Sequence, residues 1–264
     1  MVKKLFKHEF LSYVRVMGIL YIVLTLSACS CWVLRFLGGD ILIDTIVGSL
    51  STTTYRVSAA AAIIGAFAMA IIRFYRNLFT AEGYLSLTLP VTAGQHILAK
   101  AGTAAAVNLV TGLVVFLTEY IASDGETLTN VLAILNLMAR DIPWIGSDGA
   151  FFLIEILLLL LVSTVSSIML FYTFICVGQL FTKHRILAAV GAYFVYHILS
   201  QVFLTTLAFS STFSASTSFG YWAFSNPAAA MHVSLWVAIL WSVLGVTIGF
   251  FVTRFIISKK LNLE

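Results

Sequence analysis

Apolar residues in this chain gather in long runs, instead of alternating with polar ones at the two-residue period of a half-buried strand. The runs cover residues 17–37, 57–74, 97–121, 151–181, 186–209 and 228–257. A helix of roughly 20 apolar residues crosses the ~30 Å hydrocarbon layer of a bilayer. The pattern therefore predicts an all-α polytopic membrane protein with about six transmembrane helices. The 151–181 run is longer than a membrane needs, which predicts tilt or projection into water at one end. Ahead of the first run, Val2, Leu5, Phe6, Phe10, Tyr13, Val14 and Met17 recur at helical spacing, with Lys4, Lys7, His8, Ser12 and Arg15 largely opposite. Residues 1–16 thus read as an amphipathic interfacial helix lying in the headgroup layer, its lysines turned to anionic lipid.

Local signals mark several helix starts. Thr92-Ala93-Gly94-Gln95 has the capping-box pattern, with Thr92 as N-cap and Gln95 reaching back, so the third span is expected to open just after Pro90. Asn226-Pro227 sets an N-cap before a proline in the first helical position and opens the sixth span. Asp148 is the expected cap of the fourth. Within the loop 123–150, Leu128, Val131, Leu132, Leu135 and Met138 form a helical stripe. Asn130, Asn136, Arg140 and Asp141 would be costly in lipid, so this segment is expected to be a surface helix and not a seventh span. Residues 210–224, rich in Ser, Thr and aromatics, suit a loop at the membrane boundary.

Composition agrees with the periodicity: 61% of residues are hydrophobic, 10% are charged, and the mean hydropathy is +1.03. A soluble domain carries about a quarter of its residues charged. One polytopic domain spanning 1–264 is the natural reading. Charge then sets orientation. Lys3, Lys4, Lys7, Arg15, Arg73, Arg76, Lys100, Lys183, Arg185, Arg254, Lys259 and Lys260 fall on one side of the predicted spans, against Arg35, Arg56 and Arg140 on the other. Lysine and arginine resist translocation, so the first side is expected to be the cytoplasmic side of the cell membrane, with both termini in the cytoplasm. Asp40, Asp44, Asp124, Glu126, Asp141 and Asp148 lie on the opposite side. Leu26-Ser27-Ala28-Cys29 resembles a lipoprotein cleavage box, but the apolar run continues past it and the retained span is preferred. Cys29, Cys31 and Cys176 are odd in number and define no disulfide framework.

Much familiar chemistry is missing. None of the lysines is followed by Ser or Thr, so no GxxxxGK[ST] phosphate loop exists and the chain is not expected to be an ATP-hydrolysing enzyme itself. His8-Glu9 begins a zinc-protease pattern, but Ser12 stands where the second histidine belongs, and no metal site is expected. His96, His184, His197 and His232 are scattered along the chain. Ionisable groups inside spans are functional candidates. Glu119 and Glu155, near the outer helix ends, read either as carboxylates reaching the interface or as a pair lining an outward cavity that meets a cationic substrate. His197 and Gln201 form a polar stripe with Tyr193, Tyr196 and Ser200, expected to bond across to Ser163, Ser166 or Ser167 in preference to touching substrate. Gly245-xxx-Gly249, Ala59 to Gly65 and Gly102 to Ala106 permit close backbone approach, within the chain or to another subunit.

The connector at 73–97 faces the cytoplasm in this scheme. Thr80 can cap a short helix with Glu82 in its first turn, which Pro90 would stop. Leu85, Leu87 and Leu89 also alternate with Ser86 and Thr88 as a strand would, and both readings stay open. In either form Leu78, Phe79, Tyr84 and Leu85 present apolar and aromatic surface of the kind a docking site uses. The sequence FYRNLFTAEGYLSLTLPVTAGQHILAK, above all Glu82-Gly83-Tyr84-Leu85 and Thr88-Leu89-Pro90, resembles the first cytoplasmic loop of type 2 ATP-binding cassette (ABC) permeases, in particular the small six-span bacterial ones. The span count, the amphipathic start and the missing phosphate loop agree with that resemblance.

The resemblance implies a permease that couples ATP hydrolysis by a separate cytoplasmic ATPase subunit to movement, most simply export, of an amphipathic substrate such as a peptide antibiotic, a drug or a lipid. It implies a coupling helix around 80–87, with Arg76, Phe79, Thr80, Glu82, Gly83, Tyr84 and Leu85 at the ATPase. It also implies a second permease copy or a paralogue, ATP and magnesium held by the partner alone, membrane lipid around the spans, and no nucleic acid. Larger family members carry re-entrant helices before the last span, for which 210–226 is short. A membrane-bound immunity or sensor protein that binds a peptide or partner without transport is the alternative. An intramembrane enzyme is disfavoured by the lack of convergent titratable groups.

Overall fold

A computed structural model describes residues 2–37, 41–79, 92–141, 143–181, 183–213, 222 and 225–259. Those residues are helical with no strand, in the order α1 (Val2–Leu37), α2 (Ile41–Phe79), α3 (Ala93–Ala122), α4 (Glu126–Asp141), α5 (Pro143–Gly178), α6 (Arg185–Phe213) and α7 (Pro227–Lys259). Six segments are long and apolar enough to cross a membrane: Phe6–Arg35, Ile46–Phe79, Ala93–Ala122, Phe151–Gly178, Arg185–Thr206 and Ala228–Ser258. The fold is that of a multi-pass membrane protein, and its predicted all-α class is observed. Residues 80–91 of the connector, including Thr80, Glu82, Gly83, Tyr84 and Leu85, lie outside the described residues, as do 214–221, 223 and 224 of the 210–224 loop.

Several boundaries differ from the expectation. No break separates residues 1–16 from the first span, because α1 is continuous from Val2. The second span extends back to Ile46 through a hydroxyl-rich stretch that reads as polar in the sequence. There Ser49, Ser51, Thr52, Thr53 and Thr54 return their hydroxyls to backbone carbonyls three or four residues earlier, which hides the polar groups within the helix. The helix that carries the fourth span opens at Pro143, a favoured first helical residue, so Asp148 lies inside α5 and does not cap it. At α3 the backbone N–H of Thr92 donates to Gln95 Oε1 at 3.2 Å, the reach-back half of the capping box.

The chain divides into two compact units. The first holds residues 1–91 and 98–141, and so α1, α2, most of α3, and α4. Its core is built from small and aromatic side chains: Tyr13, Met17, Ala66 and Val107 form one cluster, and Leu24, Ala28, Cys31, Tyr55, Ala62 and Ala122 another. Side-chain hydrogen bonds cross between helices, from Tyr21 OH to Thr111 Oγ1 at 2.7 Å, between Ser27 and Ser58 at 2.7 Å, and between Tyr55 and Thr118 at 3.3 Å. α3 ends in a Schellman turn, with Asp124 N–H on the Ile121 carbonyl and Gly125 N–H on the Tyr120 carbonyl. Gly125 has φ 79°, and a Cβ there would meet the Tyr120 ring at 3.2 Å. α4 follows, tied back by Arg35, which donates to Ser123 O at 3.1 Å and pairs with Glu126 at 3.3 Å.

The second unit holds residues 92–97 and 142–264. Here α5 packs on α7 through close backbone approach. A Cβ at Gly245 would lie 2.7 Å from Ser166 Oγ, and one at Gly249 would lie 3.0 Å from Thr173 Oγ1 and 3.4 Å from the Met169 carbonyl. The Gly245-xxx-Gly249 stripe is thus used inside the chain. α6 joins α5 through Gly178, whose absent side chain admits the Arg185 carbonyl and Ala189, and through Phe171 and Phe174 against Tyr193 and Tyr196.

Candidate functional site

Two buried carboxylates draw polar partners from neighbouring helices, one in each unit. Glu9 lies one helical turn before Tyr13 and two before Met17, on the face of α1 that is buried. A carboxylate there would be costly without partners. α2 supplies two of them, at Arg73 and Asn77, four residues apart and hence on one face. Asn77 Nδ2 donates to Glu9 Oε1 at 3.1 Å, and Arg73 Nη2 lies 3.5 Å from Oε2. α3 supplies the third: Lys100 Nζ donates to Oε1 at 2.5 Å and is 5% exposed. The Arg73 guanidinium also sits 4.8 Å above the centre of the Tyr13 ring. One carboxylate therefore holds two cations and joins the three helices.

The second centre pairs α5 with α7. Glu155, 9% exposed, accepts the Trp236 indole N–H at Oε1, 2.8 Å away, and its Oε2 lies 2.7 Å from His232 Nδ1. His232 and Trp236 are one turn apart on α7, as Phe152 and Glu155 are on α5. The Phe152 ring stacks on the imidazole with centroids 4.1 Å apart and planes at 20°. This centre sets one carboxylate against an imidazole and an indole N–H, where the centre at Glu9 sets one against a lysine, an arginine and an amide.

The predicted site residues are spread over both units. Arg76 is exposed and Phe79 packs at 6.0 Å on both Phe74 and Tyr75, which completes the described end of α2. Glu119 belongs to the first unit, where it accepts from Thr127 Oγ1 at 3.2 Å and ties α3 to α4. Glu155 belongs to the second, so each has its own protein partners. His197 and Gln201 are exposed on α6, His197 with its ring 4.5 Å from Tyr193. The serines expected to bond with them are engaged elsewhere. Ser163 and Ser167 donate to carbonyls of their own helix, and Ser166 is buried beside Gly245. The physical reason is that a helical serine finds its nearest acceptor one turn back.

Sequence reasoning missed Glu9 with its three partners, and it missed His232, Trp236 and Phe152. The signal for the first was present: an acidic residue in register with Phe6, Phe10, Tyr13 and Met17 breaks an otherwise apolar stripe. His232 left no such signal, since its partner lies in a helix far away in sequence. Among the described residues, no three His, Cys, Asp or Glu side chains converge as metal ligands. No known protein family, curated protein sequence or solved structure matches this chain.

Proposed function

We propose that this chain is the membrane-spanning permease subunit of an ABC transporter of the small six-span bacterial kind. In this reading it sits in the cell membrane with both termini in the cytoplasm, and its α2–α3 connector docks on a separate ATPase subunit. A second permease copy or a paralogue completes the pathway, and the cargo is amphipathic: a peptide antibiotic, a drug or a lipid. Two ATPase subunits closing on nucleotide would pull the connectors, and the spans would shift from inward to outward exposure.

The observation that carries the reading is the connector. Glu82-Gly83-Tyr84-Leu85 and Thr88-Leu89-Pro90 resemble the coupling loop of these permeases. The flanking helices support it, with Arg76 exposed at the end of α2 and a capped start to α3 at Thr92. Glu119, Glu155, His197 and Gln201 remain the residues to examine along the cargo path, Glu155 first because it is held in place by α7.

Purification in mild detergent from the native host tests the proposal. An associated protein with a phosphate-binding loop is expected, and Tyr84→Ala or Glu82→Arg should release it while the permease still inserts. Recovery of the chain with no such partner, or unaltered partner binding and transport in both variants, would refute docking. The former result would leave the immunity or sensor reading standing.

A further inference from the structure

The two helix ends that flank the connector are held by one side chain, and that side chain belongs to neither helix. Arg73 and Asn77 lie in the last two turns of α2, and Lys100 lies in the second turn of α3. All three contact Glu9 of α1, at 3.5, 3.1 and 2.5 Å. We infer that Glu9 is a positioning residue: it clamps the stems of the connector to each other and to α1, so that a displacement imposed on the connector moves α1, α2 and α3 together.

Three observations carry the inference. The contacts use both carboxylate oxygens and come from two helices, so the carboxylate is a junction and not a pairwise bridge. The site is shielded: Lys100 is buried, and the side chains of Glu9 and Arg73 are 13% and 20% exposed. Charge pairs screened this way from water keep their strength and geometry better than surface pairs, which contribute little. Finally, the stem residues are braced from behind. Phe74 and Leu78, which alternate with Arg73 and Asn77 along α2, are fully buried, as is Ala99 beside Lys100. A packed helix end held by a charged junction moves as a rigid piece, and such pieces transmit small shifts without absorbing them.

The functional half of this inference rests on the permease reading, whereas the clamp itself does not, and the experiment separates them. Spin labels go on exposed Ile72 and Leu98, which lie in the two stems, in a background with Cys29, Cys31 and Cys176 replaced by alanine. The unaltered junction should give one narrow distance distribution in nanodiscs. Glu9→Gln should broaden it. Because that change breaks the ion pair of Lys100 and could unfold the protein, Glu9→Gln/Lys100→Met is made as well. It removes the buried cation together with its carboxylate and keeps the packing, and it should also broaden the distribution. A narrow distribution in the folded double variant overturns the clamp. In the reconstituted complex with its ATPase, the same double variant should move about tenfold less cargo per ATP while the ATPase stays bound, the scale of an ordinary coupling energy. Full transport with a broadened distribution overturns the role in transmission. Should no ATPase associate at all, the permease reading falls, and the distance measurement still decides the clamp.

Discussion

The two units solve the same problem in different ways. Inside a bilayer the hydrophobic effect does not draw helices together, since lipid tails are as apolar as leucine, and association has to come from close packing and from hydrogen bonds. The first unit relies on bonds between side chains of different helices: Glu9 with Lys100, Arg73 and Asn77, Tyr21 with Thr111, Ser27 with Ser58, and Tyr55 with Thr118. The second relies on missing side chains, at Gly178, Gly245 and Gly249, and on aromatic contacts between α5 and α6. Its interhelical polar bonds among the described residues gather at Glu155 and at the Thr173 to Thr253 and Gly249 contacts. A unit joined by directional bonds has one preferred register. One joined by glycine faces depends on close approach instead, a device the first unit also uses at Gly65, where a Cβ would lie 2.8 Å from Leu20 Cδ1.

The sharpest contrast is between the two carboxylates. Replacing Glu9 by alanine removes the carboxylate that pairs with buried Lys100 and largely shielded Arg73, and breaking such a pair costs about 4 kcal/mol. Replacing Glu155 by alanine strands an imidazole and an indole N–H, for which about 2 kcal/mol is expected. Glutamine separates them further. The His232 ring can donate or accept according to its tautomer, so it can still bond the amide that Glu155→Gln introduces, and this variant should recover most of the loss. At Glu9 a neutral amide does not replace the ion pairs with Lys100 and Arg73, and Glu9→Gln should recover little. Titration with sodium dodecyl sulfate reads both sites. Trp32 is the tryptophan of the first unit, and Trp144, Trp222, Trp236 and Trp241 belong to the second. Equal rescue by glutamine at the two positions would erase the distinction drawn between them.

That contrast also shows where the sequence is readable. The spans are legible because length and apolarity are one-dimensional properties, and the capping signals at Thr92 and Pro227 depend only on near neighbours. Composition makes the second span too short because Ser49, Ser51, Thr52, Thr53 and Thr54 count as polar, although each spends its hydroxyl on its own helix. Serine partners for His197 and Gln201 fail for the same reason. Glu9 is legible only in part: its place on an apolar face announces that a partner must exist, but whether that is lysine, arginine or lipid depends on which helices pack there. Glu155 is visible as an acid in a span, while its pairing with His232 is a fact of tertiary structure alone. The docking residues Arg76, Phe79, Thr80, Glu82, Gly83, Tyr84 and Leu85 come from resemblance and not from packing, and of these the described residues include Arg76 and Phe79.

Glycine substitutions test the other side of the comparison at a smaller scale. Gly249→Ala puts a methyl group against Thr173 Oγ1 at 3.0 Å and the Met169 carbonyl at 3.4 Å. The carbonyl cannot swing aside as a side-chain tip could, so α5 and α7 must separate, at about 1.5 kcal/mol. Gly112, in α3 of the first unit, has nothing within 4 Å of its would-be Cβ. There alanine removes only the backbone freedom of glycine and should stabilise by about 0.5 kcal/mol. Opposite signs are expected in the same detergent titration, and a destabilising Gly112→Ala would mean that the open space beside Gly112 is filled in the folded protein.

The smallest expected effect probes the bonds on which the first unit is said to rest. Thr111 donates its own proton to the Val107 carbonyl at 2.8 Å, which leaves Tyr21 as the donor in the 2.7 Å contact between them. Tyr21→Phe therefore removes a donor without emptying space and leaves Thr111 with its backbone bond, so no buried proton donor is stranded. The loss should be near the average for interhelical bonds in membranes, about 0.6 kcal/mol, because the separated helices also find partners. Thr111→Val removes the acceptor and should cost a similar amount, and the double variant should cost no more than either alone, since both changes break one bond. If the two losses simply add, the hydroxyls contribute through packing and not through each other. The first unit would then owe its register to the Glu9 junction and its alanine faces instead of to a ladder of hydroxyl bonds.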